Sequence, residues 1–314
     1  MPDTVPNRTS APAHPTPRAT PRTGPFNGPL PILAAALLWG TTGTASSLAP
    51  AGAPPAAIGA AGLVLGGLLL LLSTRTARAL PRACDRRERR LLALGAIAVA
   101  GYPVTFYPAV SRTGVAVATV LALGSAPAFT GLLGWLTGQG RPTARWAGAT
   151  ATAVLGCAVL VLGPELTGGG PAVDPLGVLC AALAGLSYAV YSLVGGRLIT
   201  RGHPSAGVMG AMFGAAAVLV LPVLLLTDPH WLLSLRGTAV TLHLAVITTF
   251  LAYRLFGHGL RHTPARTATT LTLAEPAAAT LLALTTLHEH LPTLAWPGLA
   301  LLVTGLTLLT RKPH

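Results

Sequence analysis

The sequence predicts an all-α polytopic membrane protein with ten transmembrane helices, arranged as two inverted five-helix repeats. Three observations predict this fold. Of the 314 residues, 52% are hydrophobic and only 9% are charged, so too little polar surface exists to cover a water-soluble globule of this size. Ten apolar runs have the length of about 20 residues that spans a bilayer. A stretch of sequence also occurs twice, with apolar runs around both copies.

The duplicated stretch reads GQGRPTARWAG at 138–148 and HEHLPTLAWPG at 288–298. Without any gap, four residues of the first copy match four of the second: Pro142, Thr143, Trp146 and Gly148 match Pro292, Thr293, Trp296 and Gly298. Because one apolar run precedes each copy and another follows it, the repeated unit is a structural half of the protein.

Residues 1–28 are predicted to be a disordered cytoplasmic tail. They hold seven prolines, three arginines and few bulky apolar side chains, so they cannot bury enough surface to offset the entropy of ordering. A secretory signal is the alternative, because arginines precede an apolar run. That run, 29–49, has the length of an uncleaved spanning helix.

The predicted spans fall into two groups of five. The first repeat, 29–163, contains the runs 30–49, 55–73, 91–110, 114–136 and 145–163, and the second repeat, 176–310, contains the runs 176–196, 206–227, 238–259, 266–286 and 293–310. Residues 164–175 form an external linker, and 311–314 form a short cytoplasmic tail. Proline and glycine occur at many ends of these runs and mark the approximate span boundaries. Buried helices show no clear amphipathic period, so the exact boundaries are left open.

The arginines predict the orientation. If the N-terminus is cytoplasmic, eighteen of the 21 basic residues lie inside, only Arg112 and Arg236 lie outside, and Arg254 lies within a span. This bias is the one that the positive-inside rule requires. Both termini are then cytoplasmic in a multi-pass protein of the cell membrane. Five spans per repeat is an odd number, so the second repeat enters the membrane from the opposite side. The net charge of +13 follows from this topology and from anionic lipid, and it needs no nucleic-acid partner.

Inverted repeats are typical of secondary transporters, in which one half rocks against the other around a central site. A membrane enzyme would need a cluster of His, Asp or Glu inside the membrane, and the predicted spans contain none, so no enzymatic activity is predicted. The sequence has no Walker motif, and no cofactor is expected. Cys84, Cys157 and Cys180 are unclustered, which argues against a disulfide framework or a metal site.

Several segments also resemble the EamA-type transporters of the drug/metabolite transporter superfamily, from residue 29 to residue 310. The segments that carry the resemblance are LLWG at 37–40, TTFLAYRLFGHGLR at 248–261, AEP at 274–276, and Glu289 with Trp296 and Gly298. The resemblance implies two five-helix repeats and the transport of a small metabolite or drug, often as export. The chain departs from the family at Gln139, where an acidic residue is frequent, and at 60–62, where an arginine is frequent.

Two ionisable residues lie within predicted spans, where a charge costs at least about 2.5 kcal/mol. Arg254 lies close enough to one end for its long side chain to reach the interface. Glu275 lies about nine residues into its span, or roughly 13 Å by the helical rise. Three roles remain open for Glu275: a site of proton coupling, a counter-ion to Arg254, or part of a helix break made with Pro276. Arg254 is either a coupling or binding residue or an interfacial anchor.

Aromatic residues are the remaining candidates for contact with substrate. All five tyrosines lie in three predicted spans, and a ring with a polar tip suits a solute of mixed character. The candidates are Trp39, Tyr102, Tyr188, Tyr191 and Tyr253, with packing or an interfacial belt as the alternative. The belt is the favoured interpretation for Tyr107.

Two further patterns are interpreted as structural. His288, Glu289 and His290 are consecutive, so their side chains do not converge on one helix face, and a solvated loop is expected. The pairs Gly62/Gly66 and Gly210/Gly214 have the spacing that lets helices approach closely, and they are expected to be packing sites.

The sequence therefore predicts a secondary transporter of a small molecule, with export and proton coupling as hypotheses. A sensor or accessory protein that kept the transporter fold is the alternative. A polar cavity in the middle of the membrane would favour transport, and a wholly apolar core would count against it. The substrate, the coupled ion and the oligomeric state are left open.

Overall fold

The computed structural model is built from α-helices in the part of the chain that it describes, residues 28–166, 174–227, 229–286, 293 and 295–310. Its side-chain description leaves out 163–166, 283, 285 and 286. The helices are α1 (Pro29–Ser47), α2 (Pro55–Leu72), α3 (Arg75–Ala83), α4 (Arg86–Leu136), α5 (Ala144–Leu166), α6 (Pro175–Thr200), α7 (Ser205–Leu226), α8 (Leu235–His243), α9 (Ala252–Gly259), α10 (Ala265–Leu271), α11 (Ala274–Thr286) and α12 (Ala295–Thr310).

Several predicted features lie outside the described residues. These are the tail up to residue 27, most of the linker 164–175, the loop with His288, Glu289 and His290, Pro292, and the last four residues.

Among the residues that the structure describes, six helical segments are long and apolar enough to cross a membrane: Pro55–Leu72, Arg86–Leu136, Ala144–Leu162, Pro175–Thr200, Ser205–Leu226 and Leu235–Gly259. The 51 residues of α4 cover the two predicted spans 91–110 and 114–136, and at the helical rise they measure about 76 Å, more than twice the hydrocarbon thickness. Gly114 divides α4 into two arms, because its φ of 81° is non-helical and is readily adopted only by glycine. The total of ten crossings stays a prediction.

The last three predicted spans are interrupted or short. A π-helical segment, Leu244–Leu251, joins α8 to α9. The span predicted at 266–286 is divided into α10 and α11 around Thr272 and Leu273. The apolar helix α12 is shorter than the other candidates.

Helix α3 was not predicted, because arginines interrupt its apolar residues. Its N-terminus is capped by Thr74, whose hydroxyl accepts a hydrogen bond of 3.2 Å from the Ala77 N–H. Helix α4 then begins with a capping box. The Glu88 N–H donates to Asp85 Oδ1 at 2.7 Å, and the Asp85 N–H donates to Glu88 Oε2 at 3.3 Å, which satisfies two backbone donors at once.

Equivalent helices of the two repeats pack against each other in antiparallel directions. In the pair α5 and α12, Gly305 lies against Ala149 and Ala153, whereas Gly298 lies against Leu160, further along α5. The two helices therefore run in opposite directions. Small residues allow this close approach of two backbones.

The pair α2 and α7 has the same arrangement. Gly67 lies against Phe213 of α7, whereas Gly210 of α7 lies against Leu70, further along α2. Gly66 contacts the π-helical segment instead. The glycine pairs predicted as packing sites therefore serve contacts within the chain. Antiparallel packing of equivalent helices is the relation that an inverted repeat requires.

The arginine-rich loops lie together at one end of the helix bundle. Arg201 Nη1 is 3.4 Å from Glu88 Oε1, and His203 Nε2 is 3.2 Å from Glu88 Oε2. Arg266 Nη1 donates to the Gly140 carbonyl at 3.5 Å. We call this end of the bundle the arginine-rich end. Its side of the membrane remains a prediction.

At the opposite end, Arg112 Nη1 lies 2.9 Å from Asp174 Oδ2. The hydrogen bond from Arg112 is the main reason that the pKa of Asp174 lies below its ordinary value of 3.8, and the Leu176 N–H adds to this effect. The pair joins α4 to the start of α6, and it is partly exposed to solvent.

We expect Asp174→Asn to reduce the melting temperature in detergent slightly at neutral pH, because asparagine keeps the N-cap and removes only the charge. A depressed carboxyl pKa stabilises the folded state above the ordinary pKa, and this contribution is lost as the pH falls through the folded pKa. The melting temperatures of the two proteins should therefore converge as the pH falls through the folded pKa of Asp174. A difference that grows with acidity would contradict this assignment.

Candidate functional site

A cavity of about 230 Å³ lies between the two repeats. We call it the central cavity. Apart from α2, each helical element that lines it contributes at least one polar or aromatic side chain. The lining residues are Trp39, Thr42, Ser46, Gly59, Gly62, Leu63, Val99, Tyr102, Pro103, Phe106, Tyr107, Thr119, Leu123, Tyr188, Tyr191, Phe213, Leu244, Thr248, Thr249, Tyr253 and Glu275.

The structure brings together nearly all of the side chains predicted from sequence. The residues of that set that line the central cavity are Trp39, Tyr102, Tyr188, Tyr191, Tyr253 and Glu275. Tyr107, for which an interfacial role was favoured, also lines the cavity and contacts Gly59. Arg254 is not among the lining residues.

Trp39 is at the centre of a cluster of aromatic rings. Its ring centroid lies 4.9 Å from that of Tyr253, 5.5 Å from that of Phe256 and 6.5 Å from that of Tyr188, the last in an edge-on orientation. Such tilted and edge-on contacts are favourable between aromatic rings. They hold α1, α6 and α9 around one wall of the cavity.

The π-helical segment supplies the partner for the Trp39 indole. Trp39 Nε1 donates a buried hydrogen bond of 2.8 Å to the Thr248 carbonyl. A π-helical turn changes the register of the backbone hydrogen bonds, and such turns occur frequently at functional sites. The apolar run 238–259 contains no proline and carries no signal of this distortion, so sequence reasoning missed it.

Two hydroxyl contacts fix the tyrosines on α6. Tyr188 Oη donates to Thr272 Oγ1 at 2.7 Å, and the hydroxyls of Tyr191 and Tyr253 are 3.1 Å apart. Thr272 lies at the interruption between α10 and α11. These contacts set the orientation of the rings, so the cavity wall is defined before a solute arrives.

Glu275 lies in the first turn of α11 and lines the cavity. The interruption after α10 places it at a helix N-terminus, where the helix dipole favours a negative charge. Pro276 follows it in the same turn, where a missing N–H leaves no hydrogen bond unmade. Within the described residues, the Glu275 carboxylate has no ion-pair or hydrogen-bond partner.

Arg254 is exposed on the outer face of α9. Its Cζ atom lies 5.6 Å from the centroid of the Phe250 ring, which is a cation–π contact. Glu275 faces the cavity inside the bundle. The geometry therefore gives no support to an ion pair between these two residues, and it favours the anchor interpretation of Arg254.

A second cavity, of about 510 Å³, opens at the arginine-rich end. We call it the vestibule. It is lined by Gln139, Arg197, Arg261 and His262, among others. On α9, the buried Phe256 lies between Tyr253 of the central cavity and Arg261 of the vestibule. Sequence analysis missed the vestibule, because its residues come from two loops and from α6, which are far apart in the chain.

Cys84, Glu88 and His203 also lie close together, with one ligand atom of each within 4.8 Å of the others. Residues of this kind can hold a metal ion, and their separation in the sequence concealed the cluster. Glu88 already accepts from Asp85 and contacts Arg201. The cluster therefore functions as a network of ion pairs and hydrogen bonds in this structure.

The comparisons with known proteins agree with this architecture. The model of the EamA-like transporter family matches the chain twice, at residues 27–162 and 175–311. The chain belongs to the EamA-like transporter family. The two matches identify both halves as repeats of one unit, and they confirm the resemblance inferred from the sequence motifs.

A curated EamA-like relative and a solved structure extend the comparison. The relative is the "Uncharacterized transporter YwfM" of Bacillus subtilis (strain 168), 38% identical over 283 residues, which cover 90% of this chain and 93% of that protein. A crystal structure aligns with a TM-score of 0.73 at 24% identity, over 90% of this chain and 95% of the other. At that identity the second comparison shows a shared fold only. The family and the relative are both described as transporters.

We expect Trp39→Phe to reduce the free energy of unfolding by about 1 kcal/mol, because the hydrogen bond to a buried carbonyl is lost while most of the ring contact remains. Thermal unfolding in detergent measures this effect. Trp296→Phe is the matched control, because Trp296 is 56% exposed on α12. Equal losses in the two variants would contradict a structural role for the hydrogen bond from Trp39.

Proposed function

We propose that the chain is a secondary transporter that exports a small metabolite or drug across the cytoplasmic membrane by alternating access. The observation that carries this proposal is the central cavity, with its tyrosine hydroxyls and one carboxylate enclosed between two repeats. A protein that kept the fold for sensing or scaffolding alone needs no polar cavity at this position. Burial of polar groups without partners is costly, and a solute would supply partners.

The two cavities support alternating access. Phe256 on α9 is buried, and along the chain it lies between Tyr253 of the central cavity and Leu260 of the vestibule. In the proposed cycle, the units 29–163 and 176–310 rock against each other across the linker 164–175. This motion opens the path through the vestibule and closes the opposite end, where Ser46 and Gly59 line the central cavity.

The orientation and the number of spans belong to the same proposal. Ten crossings place both termini on one side, and the arginine-rich end is assigned to the cytoplasm by the positive-inside rule. The antiparallel packing of α2 with α7 and of α5 with α12 supports inverted repeats. Export is the direction that the family resemblance implies.

Proton coupling through Glu275 is the proposed source of energy. Glu275 faces the cavity, and the described residues offer it no cation as a permanent partner. Its carboxylate can therefore bind a proton in one step of the cycle and interact with the solute in another. A permanent ion pair would prevent this exchange, because the partner would hold the carboxylate in its charged form.

Transport by the purified full-length protein in proteoliposomes tests the proposal. A panel of radiolabelled amino acids, nucleosides, sugars and organic cations is offered as counterflow substrates, with and without an imposed pH gradient. We expect protein-dependent flux of at least one member, compared with protein-free liposomes. Flux of no member would overturn the proposal and favour the accessory function.

A further inference from the structure

The central cavity has an asymmetry of charge. Among its lining residues, Glu275 is the sole charged side chain, and neither lysine, arginine nor histidine is present. Arg254, the residue considered as a counter-ion for Glu275, does not line the cavity. A solute in this cavity therefore meets one negative charge and no positive one.

The other walls are aromatic. Trp39, Tyr102, Tyr188 and Tyr253 line the same space as Glu275, and the ring centroids of Tyr102 and Tyr188 lie 6.4 Å apart in an edge-on contact. Aromatic faces attract cations, so several aromatic side chains together with a carboxylate are suited to binding an ammonium group.

We propose that the central cavity binds an organic cation, a protonated or quaternary amine joined to a small aromatic or apolar body. This inference rests on the proposed transport function and names the substrate class of the same site. The ammonium group would lie against Glu275 and the aromatic faces. The cavity volume of about 230 Å³ is below the range of about 300–1,000 Å³ typical of drug-sized ligands, so the body is about the size of one ring.

Other classes of solute fit the cavity less well. An anion would be repelled by Glu275 and would find no base among the lining residues. A neutral solute would form no ion pair with Glu275, and the carboxyl group would then bind a proton instead. An amine satisfies the carboxylate and uses the rings.

Three probes of nearly equal shape distinguish these classes: benzyltrimethylammonium, the neutral N,N-dimethylbenzylamine N-oxide, and phenylmethanesulfonate. Their binding to the full-length protein in detergent is measured by calorimetry at neutral pH. We expect the cation to bind at least about tenfold more tightly than the neutral probe, as a desolvated cation–π site allows, and the anion to bind most weakly. Equal binding of the cation and the neutral probe would overturn the inference, as would preference for the anion.

Two variants test which side chain causes the preference for the cation over the neutral probe. Glu275→Gln should abolish the difference between the cation and the neutral probe, whereas Asp174→Asn, outside the cavity, should keep it. Retained selectivity in Glu275→Gln would overturn the assignment of the carboxylate. Since the comparison of the three probes needs only the unmodified protein, the inference stays testable if this variant fails to fold.

The transport assay separates the two proposals. Selective binding of the cation without flux of any solute would support the substrate class of the cavity and overturn transport. Flux of other solutes, with no binding of the cation, would support transport and overturn the substrate class.

Discussion

Glu275→Gln is expected to abolish accumulation driven by a pH gradient while exchange of solute across the membrane continues. If one proton is exchanged for one solute without net movement of charge, a gradient of one pH unit permits up to about tenfold accumulation of the solute. A factor of ten in concentration corresponds to about 1.4 kcal/mol. Glutamine keeps the size and polarity of the side chain but cannot bind a proton. The accumulation ratio should therefore fall to about one.

The measurement uses proteoliposomes and the member of the panel with the highest flux, at a concentration that saturates the variant. Saturation matters because the loss of Glu275 should also weaken the binding of a cation. Asp174→Asn is the matched control, because it neutralises an acid at the end of the bundle instead of one in the cavity. Gradient-driven accumulation by Glu275→Gln at the level of the unmodified protein would exclude Glu275 as the coupling site.

Gly298→Val should destabilise the protein strongly, whereas Gly148→Val should not. A Cβ atom at Gly298 would collide with the Leu160 N–H group and would come within 3.0 Å of the Gly156 carbonyl oxygen. Because both obstacles belong to the backbone of α5, α12 would have to move away. We expect a loss of roughly 1–3 kcal/mol or more in the free energy of unfolding, together with a lower melting temperature in detergent.

Gly148 is a matched control, because it occupies the same place in the duplicated sequence. A Cβ atom at Gly148 would meet no atom within 4 Å, so the substitution should change the stability by less than about 0.5 kcal/mol. Equal destabilisation by the two substitutions would contradict the packing of α5 against α12. Expression levels and thermal unfolding of both variants measure the difference.

The duplicated sequence thus has a different structural role in each copy. Trp146 Nε1 donates to the Arg266 carbonyl at 3.3 Å, whereas Trp296 is largely exposed. Gly148 faces open space, and Gly298 lies in the helix contact. The identical residues of the two copies indicated a common origin. The residues that each copy contacts come from the other repeat, however, and they differ between the two copies.

Much of the candidate site could be predicted because polar residues are conspicuous within apolar runs. Glu275 and the tyrosines were identified for that reason. The same criterion selected Arg254, because a pattern of apolar residues does not say which face of a helix points inward. Only the packing of α9 against α1 and α7 put Tyr253 in the cavity and Arg254 on the outside.

The interruptions of the helices could not be predicted from the runs. Leu244–Leu251 is as apolar as its neighbours, so nothing local indicates its π-helical turn. The interruption between α10 and α11 had one local signal, because a helix break made with Pro276 was one of the roles considered for Glu275. The positions of both interruptions depend on contacts with other helices, such as the hydrogen bonds from Trp39 and Tyr188. Helix α3 escaped prediction for a different reason, since it is polar and short.

By itself, the sequence determined the helical class, the family and the duplication, because composition, the length of apolar runs and repeated motifs are properties of the chain. Its arginines also predicted the sidedness, and the structure gathers the loops that carry them at one end. Only the tertiary structure decided which polar residues share a cavity. That decision depends on how helices distant in the chain pack, because packing determines which face of each helix is enclosed.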